Sequence, residues 1–472
     1  MIIPGPDTAS EAVDAVEAPG YCPAARTFVA LALRAREAFT REAPAFKSIV
    51  VQSDPINPIG WLAANRFDRQ YYWSDRDSSD ERAGIGIADR VSRAGGGSVE
   101  EFNDAIRSRL LVAPSGTRYF GGLRFDLGGP VAPEWADFES YDFVLPRAEI
   151  RRDSDRTTFV VNLAPDDWLR PNDTIREIKR FAAAEGPRHE LSLPVFRDNC
   201  PDEDEWAQNV DWALDAFSRS RLAKVVLARR ATFGFRDVLD PLALLERLSA
   251  TTPNCYHFLF GHNEERAFVG ASPERLFKLD NKRVWSEAVA GTRRRGATEG
   301  ADAELCKELL RSEKDQREHV YVRQSIKEVL SRLCSELHVD ASASEMRLSR
   351  GRHLVTRVEG VASEGVGAAE LLIGLHPTPA VGGYPTEDAM VAISKLETFD
   401  RGWYAAPVGW IAAGAAEFAV AIRSGLVEGK KVSLYSGAGI VGGSTAEGEW
   451  SEIEDKIEDF ISVFGTNGTT AT

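Results

Sequence analysis

The chain has 472 residues, 43% of them hydrophobic and 27% charged, enough to bury a large core in an ordinary globular protein. Its 57 Lys and Arg stand against 72 Asp and Glu, a formal net charge of −15, which argues against a nucleic-acid binder but leaves room for a local cationic pocket. Five cysteines (Cys22, Cys200, Cys255, Cys306 and Cys334) are odd in number and lack CxxC spacing, so they read as reduced thiols of a cytoplasmic protein.

Residues 1–45 join an acidic, Pro-containing start, unlike a signal peptide, to a helix in ARTFVALALRAREAF. The strand-like runs FKSIVVQS, QYYWSD and GIGIADRVS follow, then a helix in SVEEFNDAIRSRL. GTRYFGGLRF, YDFVLPRAEIRRD and RTTFVVNL alternate apolar and polar residues, as half-buried strands do. A helix is expected over 172–186, and GPRHELSLPVFRDNCPDED reads as a polar connector. Beyond it lie the helix EWAQNVDWALDAFSR, the strand run SRLAKVVLARRATFGF and a helix over 240–250. The strands CYHFLFGH, ERAFVGAS and RLFKLD come next, with VWSEAVAGTRRRG after them. Two helices are expected over 302–337, a strand in RHLVTRVEGVAS, and the helices AAELLIGLHP and DAMVAISKLETF around the loop TPAVGGYPTED. YAAPVGWIAAGAAEFAVAI approaches membrane-spanning length, but Pro407, Glu417 and its small-residue turn fit two buried strands better. Strands around 408–411, 417–424 and 432–435 lead to a last helix. Without strict βα alternation, the mixture favours an α+β fold of antiparallel sheets flanked by helices.

The last ordered stretch, SGAGIVGGSTAEGEWSEIEDKIEDF, reads as a glycine turn running into a helix. Gly437, Gly439 and Gly442 spell GxGxxG, but a dinucleotide fold needs a second parallel strand after the helix, and the tail GTNGTTAT leaves no room for one. Glu449, Glu452 and Lys456 share one helical face, beside an apolar stripe of Trp450, Ile453, Ile457 and Phe460. Asp315 and Glu318 are likewise three residues apart in LLRSEKDQREHVYVRQSIKEVL. Two such carboxylate pairs would make an oxygen-rich site for Mg2+ before Ca2+, whereas either pair alone also fits a solvated helix face. The DxxEH run has Asp315 where a zinc motif needs His, so zinc is disfavoured.

Lys224 sits inside the apolar run AKVVLAR, where it is either a desolvated base or an edge-strand lysine reaching solvent. Glu274 follows Pro273 at a strand end, suited to presenting a carboxyl to a pocket or simply to closing a turn. Arg423, ending EFAVAIRS, and Lys456 suit a substrate carboxylate, Arg with the better bidentate geometry. Gly291 and Thr292 in AGTRRRG offer N–H groups and a hydroxyl to an anion. His353 and His376 sit beside apolar residues, as packing histidines also do.

SPERLF, EAVAGTRRRG, KDQREH, HPTPAVGGYP, FDRGWYAAPVG, AIRSG, SGAGIV and EGEWSEIEDK occur in order between residues 205 and 463. Together they resemble the chorismate-utilising enzymes, the family of anthranilate synthase component I. The resemblance implies one large α+β domain, two packed antiparallel sheets flanked by helices. It divides the chain into a variable half over 1–199, a chorismate-binding catalytic region over 200–465 and a disordered tail over 466–472. Aminating members lack a lysine matching Lys224, and salicylate synthases tend to carry threonine where HPTPA has Ala380. The implied activity is therefore that of an isochorismate synthase, an isomerase. Salicylate synthase, which also eliminates pyruvate, is the nearest alternative, and an aminating enzyme comes after it. The product could serve menaquinone, siderophore or salicylate formation.

The same resemblance implies chorismate as the small-molecule substrate and Mg2+ as cofactor. It implies a cytoplasmic monomer with no glutaminase subunit, nucleic acid or membrane partner. Glu318 and Glu452 match the Mg2+ ligands, with Asp315 and Glu449 in support. Tyr404, Arg423, Gly437 and Lys456 match contacts to substrate carboxylates, and Gly291, Thr292 and His353 match the pocket lining. Lys224 matches the base that activates water and Glu274 the acid that protonates the leaving hydroxyl. Such a pair needs the carboxyl raised and the ammonium lowered, the latter from about 10.4 toward ~7–8.

Overall fold

Runs of β-branched and aromatic residues, cut by Gly, Pro and Asn turns, build two antiparallel sheets. A computed structural model describes residues 26–153, 156–349 and 351–465. The expected tail at 466–472 lies outside them.

Among the described residues the large sheet has twelve strands. From one edge they are Lys47–Ser53, Arg156–Leu163, Ala148–Asp153, Glu81–Ile85, Gln70–Ser74, Tyr256–Asn263, Arg266–Ser272, Ser424–Glu428, Lys431–Val441, Lys224–Gly234 and Gly383–Tyr384. Phe196–Cys200 also pairs with Lys224–Gly234. The second sheet has ten: Cys334–Val339, Gly351–Ala362, Arg283–Arg294, Arg275–Asp280, Ala415–Val420, Pro407–Ala412, Tyr119–Leu123, Tyr141–Leu145 and Asp89–Arg93, with Ser344–Arg347 on Gly351–Ala362. Each sheet takes strands from both sides of residue 200, so the fold is one α+β domain. The sheets touch through groups such as the Tyr256 hydroxyl, which donates to Glu417 at 2.9 Å.

Four tight crossings carry the chain between the sheets: Gly86–Ala88, Pro146–Arg147, Pro273–Glu274 and Ala421–Arg423. They explain where the strand pattern misleads. GIGIADRVS and YDFVLPRAEIRRD each read as one strand, yet each serves both sheets. Pro146 cannot donate to a ladder and Gly86 adopts a φ of 66°, so pairing stops and the chain is redirected. The last two crossings are stitched together. The Ala271 N–H donates to Arg423 O, the Val420 N–H to Glu274 O, both at 3.1 Å, and Ser272 Oγ donates to Val420 O at 2.6 Å.

Other boundaries also differ from expectation. The helix expected over 172–186 is Pro171–Ile178, because the backbone at Ala182 bonds sideways to the Asn65 side chain and Gly186 to Gly60. The polar connector holds the strand Phe196–Cys200. The second of two adjoining helices, Glu299–Arg311 and Glu313–Leu333, ends before Cys334–Val339, which joins the sheet. The strand ending in Val420 is followed by a separate strand, Ser424–Glu428. Lys431–Val441 runs straight through Gly437 and Gly439, which moves the expected glycine turn to Gly442–Gly443. The apolar run near 410 is a hairpin about Gly414, and no described helix is long and apolar enough to cross a membrane.

Gly121 and Gly409 pair across adjacent strands where backbones close in. A Cβ on Gly121 would lie 1.8 Å from Asp142 O, and one on Gly409 would lie 2.0 Å from Glu417 O. Gly121→Ala is expected to destabilise the fold by about 1–3 kcal/mol, read as a lower urea midpoint. An unchanged midpoint would mean that the strands have slack here.

Candidate active site

The two stitched crossings end in a cavity. Pro273 and Glu274 line it from one crossing, Ile422 and Arg423 from the other. Arg423 holds a φ of 50°, a left-handed conformation that costs a non-glycine residue of order 1–3 kcal/mol and here re-aims the side chain. The strand Arg283–Arg294 contributes Gly291 and Thr292, Gly351–Ala362 contributes His353, and Lys431–Val441 contributes Ser436, Gly437 and Gly439. Glu318 enters from the helix Glu313–Leu333, and Glu452 and Lys456 from the helix Ala446–Ile461. That last helix buries Ile453, Ile457 and Phe460 against the fold, which leaves its acidic face toward the cavity. Ala380 and Tyr404 complete the wall from loops.

Lys224, Asp315 and Glu449 stand behind this wall instead of forming it. Lys224 is fully buried between Gly383–Tyr384 and Lys431–Val441, so it is not an edge lysine reaching solvent. Its Nζ lies 2.9 Å from Glu318 Oε1, but no acceptor meets it in hydrogen-bond alignment. Gly439 makes this approach possible: a Cβ there would lie 2.3 Å from Glu318 Oε1 and 3.0 Å from Lys224 Cε. On the same strand face, a Cβ at Gly437 would lie 3.1 Å from the Tyr404 hydroxyl.

The four acids do not converge as one ligand set. Among the described residues no three His, Cys, Asp or Glu side chains are grouped to hold a metal ion. Asp315 is drawn to Arg293, with Nη2 2.6 Å from Oδ2, and Glu449 is ion-paired with Lys314. Each of those carboxylates has a counter-charge of its own, as Glu318 has in Lys224 and Glu452 in Lys456. Glu318 and Glu452 alone face the cavity, one from each helix, and two carboxylates suffice for an ion that keeps waters and a substrate oxygen. The residues present therefore fit Mg2+ as a two-acid site.

Burial is the main force on the ionisable groups. Glu274 is buried, and desolvation with the negative charge of Glu287 lifts its carboxyl to about 8, against opposing pulls from Lys224 and Lys456. Burial raises the Glu452 carboxyl too, but Lys456 at 2.7 Å and Lys314 outweigh it and leave Glu452 below its usual value. Glu449 is raised by burial and by Glu452, with Lys314 opposing. Desolvation, Arg423 and Lys456 lower His353 to about 3, so its ring is neutral. The Gly291 carbonyl 3.1 Å from Nδ1 can only accept, which places the proton on Nδ1 and leaves Nε2 to accept from Arg423 Nη2 at 3.3 Å. Arg423 has no carboxylate partner among the described residues, and Lys456 also donates to Gly437 O at 3.0 Å. The Tyr404 hydroxyl is raised by burial, and its ring stacks on Tyr435 at 5.4 Å. His376 points elsewhere, with Nε2 donating to Phe125 O at 3.1 Å.

Several contributors escaped the sequence reading. Gly439 was visible only as a letter of a nucleotide-like motif, and Ser436 carried no signal. Glu287, in EAVAGTRRRG, acts on Glu274 from a neighbouring strand. Gly439→Ala is expected to push the Glu318 carboxylate away from Lys224, since that flexible end yields more easily than a strand backbone. A crystal structure of the variant checks this, and an undisturbed pair would refute it.

Residues 33–465 match the family model described as chorismate binding enzyme. The chain is 34% identical over 454 residues to isochorismate synthase 2, chloroplastic, of Arabidopsis thaliana, covering 88% of this chain and 81% of that one. It is 30% identical over 419 residues to isochorismate synthase MenF of Haemophilus influenzae, covering 88% and 90% respectively. Among solved structures, MenF, the menaquinone-specific isochorismate synthase from Escherichia coli, superposes with a TM-score of 0.81 at 27% identity, over 93% of this chain and 100% of that one.

Proposed function

Because the chain belongs to the chorismate binding enzymes, we propose that it is an isochorismate synthase, moving the hydroxyl of chorismate from ring carbon 4 to ring carbon 2 by exchange with water. The observation that carries this reading is Glu274, a buried carboxyl whose ionisation desolvation opposes, on the wall of a cavity that also presents Arg423 and Lys456.

The substrate is a dianion, and the cavity offers charges to match. Arg423, without a carboxylate partner among the described residues, pairs with one carboxylate, and the Tyr404 hydroxyl and the backbone at Gly437 line the same cavity. Glu318 and Glu452 would hold Mg2+, which supplies a positive counter-charge to the ring carboxylate when bound. Neutral His353 lines the wall between Arg423 and Gly291 without adding charge.

Hydroxide is a poor leaving group, so an acid must deliver a proton as the bond at carbon 4 breaks. Glu274 does so, and the departing oxygen leaves as water. On the other side of the reaction, a water loses a proton to Lys224 Nζ in its unprotonated form, and the water oxygen bonds to carbon 2. The two ring double bonds each shift by one position, so one C–O bond forms and one breaks. Ala380 in the HPTPA loop borders the cavity and, by the family resemblance, favours stopping at isochorismate.

Lys224→Ala is expected to abolish isochorismate formation while chorismate affinity stays within a few-fold. Turnover at the wild-type rate would remove Lys224 as the base. Glu274→Gln should lose about 10²–10⁴-fold in kcat, and wild-type kcat/KM should fall on the alkaline side with a midpoint near 8 as the acid ionises. Product analysis with chorismate and Mg2+ tests the activity itself. Pyruvate released without an added lyase would instead indicate a salicylate synthase, and ammonium-dependent turnover an aminating enzyme.

A further inference from the structure

Glu274 is held from both sides by a network rooted far away in the chain. Arg76 projects from the turn after the strand Gln70–Ser74, which Asp75 tightens by accepting from the Ser79 N–H at 2.7 Å. Arg76 Nη1 donates to Pro273 O at 3.0 Å and to Glu287 Oε1 at 2.6 Å, and Nη2 donates to Glu287 Oε2 at 3.0 Å. Glu287 in turn accepts the Arg275 N–H at 3.0 Å. The residues immediately before and after Glu274 are thus tied to one bidentate ion pair. Tyr256 completes the frame: the Arg76 guanidinium lies 5.4 Å from its ring centre, and Arg275 Nε donates to its hydroxyl at 2.8 Å.

We propose that the Arg76–Glu287 pair is a positioning device for the general acid, clamping the Pro273–Glu274 crossing and holding a fixed negative charge against the Glu274 carboxyl. The proposal rests on the reading of Glu274 as the acid. A buried ion pair is by itself weak evidence for stability, because the desolvation of both partners offsets their attraction. This one is spent on the backbone of the crossing, where a planar guanidinium fork meets a carboxylate and a carbonyl at once.

The charged and titratable groups around Glu274 set the sign of the test. Glu287 disfavours a second negative charge there, Lys224 and Lys456 favour it, and Tyr404, Arg275 and Arg76 complete the surroundings. Removing the charge of Glu287 leaves Arg76 unmatched, so Glu274 should ionise more readily. Removing the charge of Arg76 leaves Glu287 unmatched, so Glu274 should hold its proton longer. The two substitutions therefore act in opposite directions on the same group.

The experiment is the pH profile of kcat and KM for isochorismate formation by the full chain with Mg2+. In Glu287→Gln the alkaline midpoint should fall by about one unit, and in Arg76→Gln it should rise, each with kcat down about tenfold or more and KM nearly unchanged. Arg76→Lys keeps the charge without the fork, so its midpoint should stay near wild type while kcat remains reduced. Should Glu287→Gln or Arg76→Gln fail to fold, the surviving variant and Arg76→Lys decide the matter in the same way. Midpoints that move together, or not at all, would reduce the pair to a structural brace and overturn the proposal. A Glu274→Gln variant with full activity would instead remove the reading on which the proposal rests.

Discussion

Two neighbouring strands of one sheet must pass into the other side by side, and almost everything at the site depends on how they do it. The crossings at Pro273–Glu274 and Ala421–Arg423 share backbone hydrogen bonds, so neither can shift without the other. A strand interior could not present Glu274 and Arg423 in this way, because its side chains alternate between faces at fixed spacing. Leaving the ladder frees the chain to aim both at one cavity. The proline stops the ladder on one crossing and the left-handed Arg423 turns it on the other.

Charge is distributed around that cavity so that most groups are already balanced. Lys224 faces Glu318, Lys456 faces Glu452, Arg293 faces Asp315 and Lys314 faces Glu449. Arg423 stands out because its visible partner is a neutral histidine ring. Glu274 stands out in the opposite sense, since burial and Glu287 raise its carboxyl and oppose its ionisation. One unmatched cation and one un-ionised acid are what a reaction that binds an anion and protonates a hydroxyl requires.

Much of this was legible in the sequence, for physical reasons that also mark where legibility stopped. Helical spacing alone put Glu449, Glu452 and Lys456 on one face, because helix periodicity is local. A lysine in the apolar run around Val225 left burial and an edge position both open, because which strands flank it is a long-range fact. The resemblance drew the remaining positions together, and the cavity gathers most of them. Strand alternation could not show that GIGIADRVS serves two sheets, since the residues at a crossing keep the pattern of the strands they join. Nor could helical spacing separate Glu452, which faces the cavity, from Glu449, which a lysine on another helix has claimed. The part played by Arg76 is a purely long-range fact: 211 positions separate it from Glu287.

The surplus of acidic residues acquires a further meaning once the cavity is in view. A dianion approaching a body of net charge −15 is repelled at long range and attracted only near Arg423 and Lys456. Mobile ions screen the distant field over about 8 Å at physiological ionic strength but reach the sheltered cavity poorly. Added salt should therefore quicken the encounter between enzyme and substrate, the reverse of what electrostatic steering does for an enzyme whose whole surface attracts its ligand.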